Sequence, residues 1–112
     1  MRESHVILDF YQANSKTLAL VENLKTALVK VLKKFSINIE RDLYYQFEPE
    51  GVTATLIGPK CQLSTHTWPE RGSCTVDFYS SLDKLSVVKL GEELKNSFEA
   101  QEYDMRIIRA GN

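Results

Sequence analysis

The chain has 112 residues, 43% of them hydrophobic, with 14 lysines and arginines against 15 aspartates and glutamates. That length suits one globular domain, residues 1–112, able to bury about 65% of its unfolded surface, and it excludes two full domains. The balanced charge gives no basic excess to attract nucleic acid or an anionic membrane, and no acidic tail.

No run approaches the ~18 apolar residues of a membrane-spanning helix, so none is expected. The opening Met1-Arg2-Glu3-Ser4-His5 leads into only a short apolar run and does not read as a secretory signal. The two cysteines, Cys61 and Cys74, therefore read as thiols in a reducing, cytoplasmic setting. They lack zinc-type spacing, and only His5 or His66 could join them, so no metal is expected.

His5 to Tyr11 is apolar, aromatic and partly alternating, which predicts a strand. Asn14-Ser15 offers a helix cap. Leu18, Val21, Leu24, Leu28, Val31 and Phe35 follow at spacings of three and four, which predicts one helix with an apolar stripe, ending near Ser36. Lys30, Lys33 and Lys34 fall on its wet face. Ile37 to Phe47 is β-prone, with Ile37 and Ile39 alternating against polar neighbours, and Glu48-Pro49-Glu50-Gly51 is a turn. Val52 to Ile57 predicts a strand closed by Gly58-Pro59. Leu63 to Trp68 predicts another, closed by Pro69-Glu70-Arg71-Gly72, and Cys74 to Tyr79 a third. Asp83 can cap a second helix with Val87, Leu90, Leu94 and Phe98 on one face, and Tyr103 to Ile108 is a last short strand.

Hairpin-length turns make the middle strands antiparallel. Two amphipathic helices need an apolar surface, and one sheet face supplies it. The expected fold is α+β: a two-layer α/β sandwich, a mainly antiparallel sheet with two helices on one face. The other sheet face is then bare unless another chain or a ligand covers it, and function is sought there.

Lys60 to Glu70 is the densest segment, holding a thiol, an imidazole, an indole and a carboxylate. On an extended strand Gln62, Ser64, His66 and Trp68 share one side, and Cys61, Leu63, Thr65 and Thr67 the other. From the pattern alone this is either an open-face chemical cluster or a half-solvated strand with a structurally bonded His66. Cys74 reads as core, Trp68 as a packing anchor and His5 as structural.

Leu63-Ser64-Thr65-His66-Thr67-Trp68-Pro69-Glu70, then Gly72, then Val76-Asp77-Phe78, resembles the signature of bacterial-type S-adenosylmethionine decarboxylases. Phe47-Glu48-Pro49-Glu50-Gly51-Val52 and His5 to Tyr11 extend the resemblance, in order, over most of the chain. It implies a two-layer sandwich, usually a homodimer, made as a proenzyme. In that family a serine attacks the carbonyl before it, the peptide becomes an ester, and β-elimination cuts the chain to leave a pyruvoyl group. The pyruvoyl ketone takes up the substrate amine and serves as electron sink for loss of carbon dioxide. The product donates aminopropyl groups in spermidine synthesis.

Carried over position by position, the resemblance puts the pyruvoyl-forming residue at Cys61, with the cut after Lys60. Lys60 replaces a glutamate, Cys61 a serine and Gln62 a histidine. His66 matches the histidine that assists processing, and Thr53 stands for a processing serine. Ser81 replaces the cysteine that returns a proton to the product carbon. Phe47 and Glu70 match substrate-binding positions, Phe47 for the adenosine part. A cysteine still leaves dehydroalanine, and so a pyruvoyl, on elimination, and its thiolate is the better nucleophile. A serine at position 81 is a poor acid for the proton return. Three other readings stand beside S-adenosylmethionine decarboxylation. One is a pyruvoyl enzyme for another amino acid, such as arginine or ornithine. Another is a non-processing homologue that binds ligand or a partner subunit without catalysis. The last is an unrelated α+β interaction module.

Overall fold

The computed structural model describes residues 3–110. Met1 and Arg2, which open the segment read above as no export signal, lie outside the described residues, as do residues 111 and 112. The elements run β1 (Ser4–Tyr11), α1 (Ser15–Ala19), α2 (Val21–Lys34), β2 (Arg41–Gln46), β3 (Val52–Gly58), β4 (Cys61–Trp68), β5 (Ser73–Ser80), α3 (Lys84–Ser97) and β6 (Glu102–Arg109). One 3-10 turn, Pro69–Arg71, joins β4 to β5. The strands form a single sheet in the order β2-β3-β4-β5-β1-β6, with every neighbouring pair antiparallel.

Alternation sorts the two faces. Val6, Leu8 and Phe10 of β1, Val52, Ala54 and Leu56 of β3, Leu63 of β4, and Cys74, Val76 and Phe78 of β5 are buried under the helices. Leu24, Leu28, Val31 and Leu32 of α2 meet them, with Val87, Leu90 and Leu94 of α3 and Phe98 beyond it. Each such leucine or phenylalanine contributes roughly 1.5–3 kcal/mol by leaving water. Gly91 lets α3 come close: a Cβ there would lie 2.5 Å from Met105 Cε and 3.1 Å from Leu8 Cδ2. The fold is thus the α+β sandwich expected, and Cys74 is core.

Both expected caps form: Asn14 Oδ1 accepts from Lys16 N–H at 2.9 Å, and Asp83 Oδ1 from Ser86 N–H at 2.8 Å. The first helix departs from expectation. It is two helices, broken at Leu20, which is extended at φ −123° and ψ 144°. No side chain of its own caps α2 at Leu20. Gln46, far along the chain, supplies the acceptor, taking the Val21 N–H on Oε1 at 2.9 Å.

The expected strand from Ile37 also starts late, at Arg41. Ser36 turns left-handed at φ 57°, Ser36 N–H reaches Lys33 O at 3.0 Å, and Ile37 N–H reaches Leu32 O at 3.0 Å. That is a Schellman closure with Ile37 as its hydrophobic plug, so Ile37 belongs to the end of α2.

The second sheet face is bare. Leu43, Tyr45, Ile57, Trp68, Tyr79 and Tyr11 stand exposed on it. A more polar band crosses between them, with Thr53, Thr55, Ser64, His66, Thr75, Asp77 and Asp9.

Candidate active site

β4 organises the site. Its burial alternates as expected, with Cys61, Leu63, Thr65 and Thr67 on the helix side and Gln62, Ser64, His66 and Trp68 on the bare face. His66 is five residue steps beyond Cys61, which at ~3.3 Å per step is about 16 Å along the strand. The site residues expected from sequence therefore fall into two groups at opposite ends of β4.

The first group surrounds the β3–β4 turn. Gly58 is required there: a Cβ would lie 1.9 Å from Asn38 O, on backbone that cannot yield. The Ser81 N–H donates to the Lys60 carbonyl oxygen at 3.0 Å, tying the end of β5 to the residue before Cys61. The Cys61 side chain is buried at 7% exposure. Burial pushes its thiol pKa up, offset in part by a hydrogen bond with the Gly58 backbone. The sulfur accordingly keeps its proton at neutral pH and needs a base to become a nucleophile. Glu3, Lys60, Cys61, Gln62, Tyr79 and Ser81 help to line a cavity here. The Tyr79 ring stacks on His5 at 3.8 Å, and His5 Nε2 is bonded to Asp77 Oδ1 at 2.8 Å. His5 is structural, as read from the sequence. Tyr79 was not singled out there, although its parity with Asp77 on β5 puts it on the bare face.

The second group gathers at the far end. Phe47 and Glu50 come from the β2–β3 turn, Thr53 from β3, His66 and Trp68 from β4, and Glu70 from the turn after it; together they line a second cavity. Thr53 and His66 are direct cross-strand partners, with Thr53 Oγ1 and His66 Nδ1 2.9 Å apart. That bond fixes the ring and leaves Nε2 for proton transfer. Trp68 is 38% exposed and its ring centre lies 6.2 Å from that of His66, so it is a cavity wall and not the packing anchor expected. Phe47 is 48% exposed and meets Tyr45 edge-on at 4.8 Å, which leaves a ring face open for stacking. Below the strand, Thr67 Oγ1 donates to Leu18 O at 2.8 Å and accepts from Val52 N–H at 2.9 Å, anchoring this end of β4 to α1 and β3.

Each cavity holds about 280 Å³, just below the ~300–1,000 Å³ usual for ligand clefts. The first offers a nucleophile and a hydrogen-bonded carbonyl. The second offers an imidazole–hydroxyl pair, aromatic faces and carboxylates. Among the described residues, no cluster of three or more His, Cys, Asp or Glu is placed to hold a metal ion, and no helix is long and apolar enough to cross a membrane.

The geometry defines a class first: a two-layer sandwich with a thiol at one end of a central strand, an imidazole–hydroxyl pair towards the other, and a bare sheet face. The chain belongs to the S-adenosylmethionine decarboxylase family, whose model matches residues 4–111. It is 30% identical over 108 residues to an S-adenosylmethionine decarboxylase proenzyme of Thermoplasma volcanium, covering 96% of this chain and 83% of that one. It is 26% identical over 107 residues to the Aquifex aeolicus proenzyme, covering 96% and 79%. The crystal structure of the Aquifex aeolicus adenosylmethionine decarboxylase superposes with a TM-score of 0.86 at 25% identity, over 99% of this chain and 92% of that one. A Trypanosoma brucei AdoMetDC-delta26 monomer shares the fold at a TM-score of 0.64 and 14% identity, with 93% of this chain and 45% of that one covered.

Proposed function

We propose that this chain is a cytoplasmic proenzyme of polyamine (spermidine) biosynthesis that cuts itself between Lys60 and Cys61 and then decarboxylates S-adenosylmethionine. The observation that carries the reading is the placement of Cys61 at one end of β4 and of the Thr53–His66 pair towards the other. Two copies packed bare face to bare face, with β4 antiparallel to its counterpart across the two-fold axis, bring the β3–β4 turn of one protomer, with its Lys60–Cys61 peptide, opposite Thr53 and His66 of its partner; the Cys61 thiol, which lies on the helix side of β4, has to turn out of the sheet at this strand end to meet them. The two-fold axis repeats this arrangement, so a homodimer completes two sites. The exposed Leu43, Tyr45, Ile57 and Tyr79 would gain cover in that packing.

Self-cleavage then follows from the groups at hand. The His66–Thr53 pair of one protomer takes the Cys61 thiol proton of the other. The sulfur bonds to the Lys60 carbonyl carbon while the Ser81 N–H stabilises charge on its oxygen. The carbon–nitrogen bond breaks, the nitrogen takes up a proton, and a thioester stands where the peptide was. Loss of the Cys61 Cα proton breaks the Cβ–S bond, and sulfur departs with the Lys60 acyl group as a thiocarboxylate. The dehydroalanine left behind hydrolyses, releasing ammonia and leaving a pyruvoyl terminus. The site fits that outcome. Cys61 is the first residue of β4, so the break falls in a turn, and Gln62 to Trp68 keep their pairing with β3 and β5.

The pyruvoyl group supplies the electron sink for decarboxylation. Phe47 offers a face for adenine, and the Glu70 carboxylate offsets the positive charge of the substrate. Ser81 is a weak acid for returning a proton to the product carbon, so turnover is slow, with water as the alternative donor.

The test is release of carbon dioxide from carboxyl-labelled S-adenosylmethionine, with labelled arginine and ornithine as competing substrates. Release from S-adenosylmethionine by the parent protein and none by Cys61→Ala supports the proposal. Release from arginine or ornithine alone replaces the substrate, and none from any of the three removes the activity. One observation favours a second reading, a non-processing homologue that binds ligand or a partner subunit: burial holds the proton on the Cys61 thiol. That reading requires an uncut chain with a free thiol at Cys61.

A further inference from the structure

The β2–β3 turn carries Phe47 and Glu50 into the second cavity, yet little within the turn holds it. Its own closure is one bond, Phe47 N–H to Gly51 O at 2.7 Å. The Phe47 side chain is half exposed, so core packing does not place it. Gln46 supplies the rest. Its Nε2 faces the carbonyl oxygens of Gly51 at 3.0 Å and Phe47 at 3.1 Å, at the two ends of the turn. The same nitrogen reaches Ala19 O at 2.8 Å, and Oε1 accepts from Val21 N–H at 2.9 Å, on either side of the α1–α2 break. Gly51 N–H also reaches Ala19 O, at 2.9 Å. One half-buried amide therefore bolts both ends of the turn to a helix junction that is itself held by Thr67 and Leu18.

We infer that Gln46 is the positioning residue of the second half-site. By fixing the Phe47–Gly51 turn on the α1–α2 junction, it presets the Phe47 ring and the Glu50 carboxylate for a flat, cationic ligand. The inference rests on the proposed reading of that cavity as the ligand half-site. Its physical content is pre-organisation: a turn already in its bound conformation loses no ordering entropy when ligand arrives. A glutamine suits the position because one end must accept from an N–H while the other donates to several carbonyls. Glutamate would meet those carbonyls with negative charge, and leucine would make none of these contacts, in which the two amide hydrogens are shared among three carbonyls.

Trp68 is the only tryptophan in the chain and lines this cavity, so its emission reports occupancy. The experiment titrates S-adenosylmethionine into Gln46→Leu, Gln46→Glu and Ser97→Ala, each in a Cys61→Ala background that prevents turnover. Hydrogen exchange of residues 47–51 is followed in parallel. Ser97→Ala removes the bond that Ser97 Oγ donates to Ala27 O at 2.8 Å, between α3 and α2, and so perturbs stability away from the turn and from both cavities. Both Gln46 variants are expected to bind at least about tenfold more weakly and to exchange faster at 47–51, with Ser97→Ala at parent affinity. Parent-like affinity in Gln46→Leu overturns the inference. So does an equal loss in Ser97→Ala, which would make the effect one of stability. If the background protein itself fails to bind S-adenosylmethionine, the substrate reading falls. Exchange at 47–51 then decides alone: faster exchange in Gln46→Leu supports the positioning role and unchanged exchange overturns it.

Discussion

Mixing two dead variants tests whether the half-sites join across protomers. Cys61→Ala removes the nucleophile and His66→Ala the proton acceptor, and each alone is expected to stay uncut. Within one chain the two residues are about 16 Å apart along β4, beyond the ~3 Å a proton transfer needs. A mixed dimer rebuilds one site, from Cys61 of the His66→Ala chain and His66 of the Cys61→Ala chain, and leaves the other without both groups. With random pairing, half of the dimers are mixed and half of their sites are intact, so cleavage should reach about a quarter of the parent level. The assay is co-expression of the two variants under different tags, followed by gel separation of the fragments 1–60 and 61–112. Only the chain that retains Cys61 should be cut. Absence of cleavage in the mixture, while the parent cuts, refutes the shared site. Parent-like cleavage by His66→Ala alone refutes the role of the imidazole.

Three further outcomes are expected. The Thr65 hydroxyl is sealed in the core with no hydrogen-bond partner among the described residues, so Thr65→Val should raise unfolding stability by roughly 1 kcal/mol in a denaturant titration; a loss of that size would show a hidden partner. Because burial raises the Cys61 thiol pKa, little thiolate is present at neutral pH and its proton has to be removed, so the cleavage rate should rise with pH between roughly pH 6 and 8; a flat profile would mean that removing the thiol proton does not limit the reaction. Burial, and then the charge of Asp9, raises the Cys74 thiol pKa in the folded state. Its contribution to stability is therefore full below the unfolded thiol value of about 8.5 and is lost as pH climbs from there towards the folded value. Cys74→Ala should lower stability at neutral pH but flatten the alkaline fall in a urea series across pH, and an unchanged alkaline slope would contradict the assignment.

The sheet was legible because alternation is local. Cys61, Leu63, Thr65 and Thr67 could be placed on the helix side of β4 from spacing alone, and they are buried there. What spacing hid was distance: Cys61 and His66 look clustered in sequence, but an extended strand carries them to opposite ends. The break at Leu20 could not be read locally either, since it involves no glycine or proline and its partner, Gln46, lies 25 residues beyond Val21. Ile37 looked like the start of a strand because a hydrophobic Schellman plug and a strand residue carry the same local signature. Trp68 was misjudged for a related reason. Its parity gave its face, but only the tertiary arrangement shows that its ring lines a cavity there with Phe47 and His66.

The central claim is tested most directly by intact-mass measurement of the freshly purified protein during a long incubation. The account expects the full-length mass to give way to two fragments, with the second beginning in a ketone in place of an amine. The first should end transiently in a thiocarboxylate, heavier than the carboxylate by the difference between sulfur and oxygen, before it hydrolyses and releases sulfide. A full-length mass that persists with the Cys61 thiol still titratable would contradict the claim and leave a folded relative that does not perform the reaction.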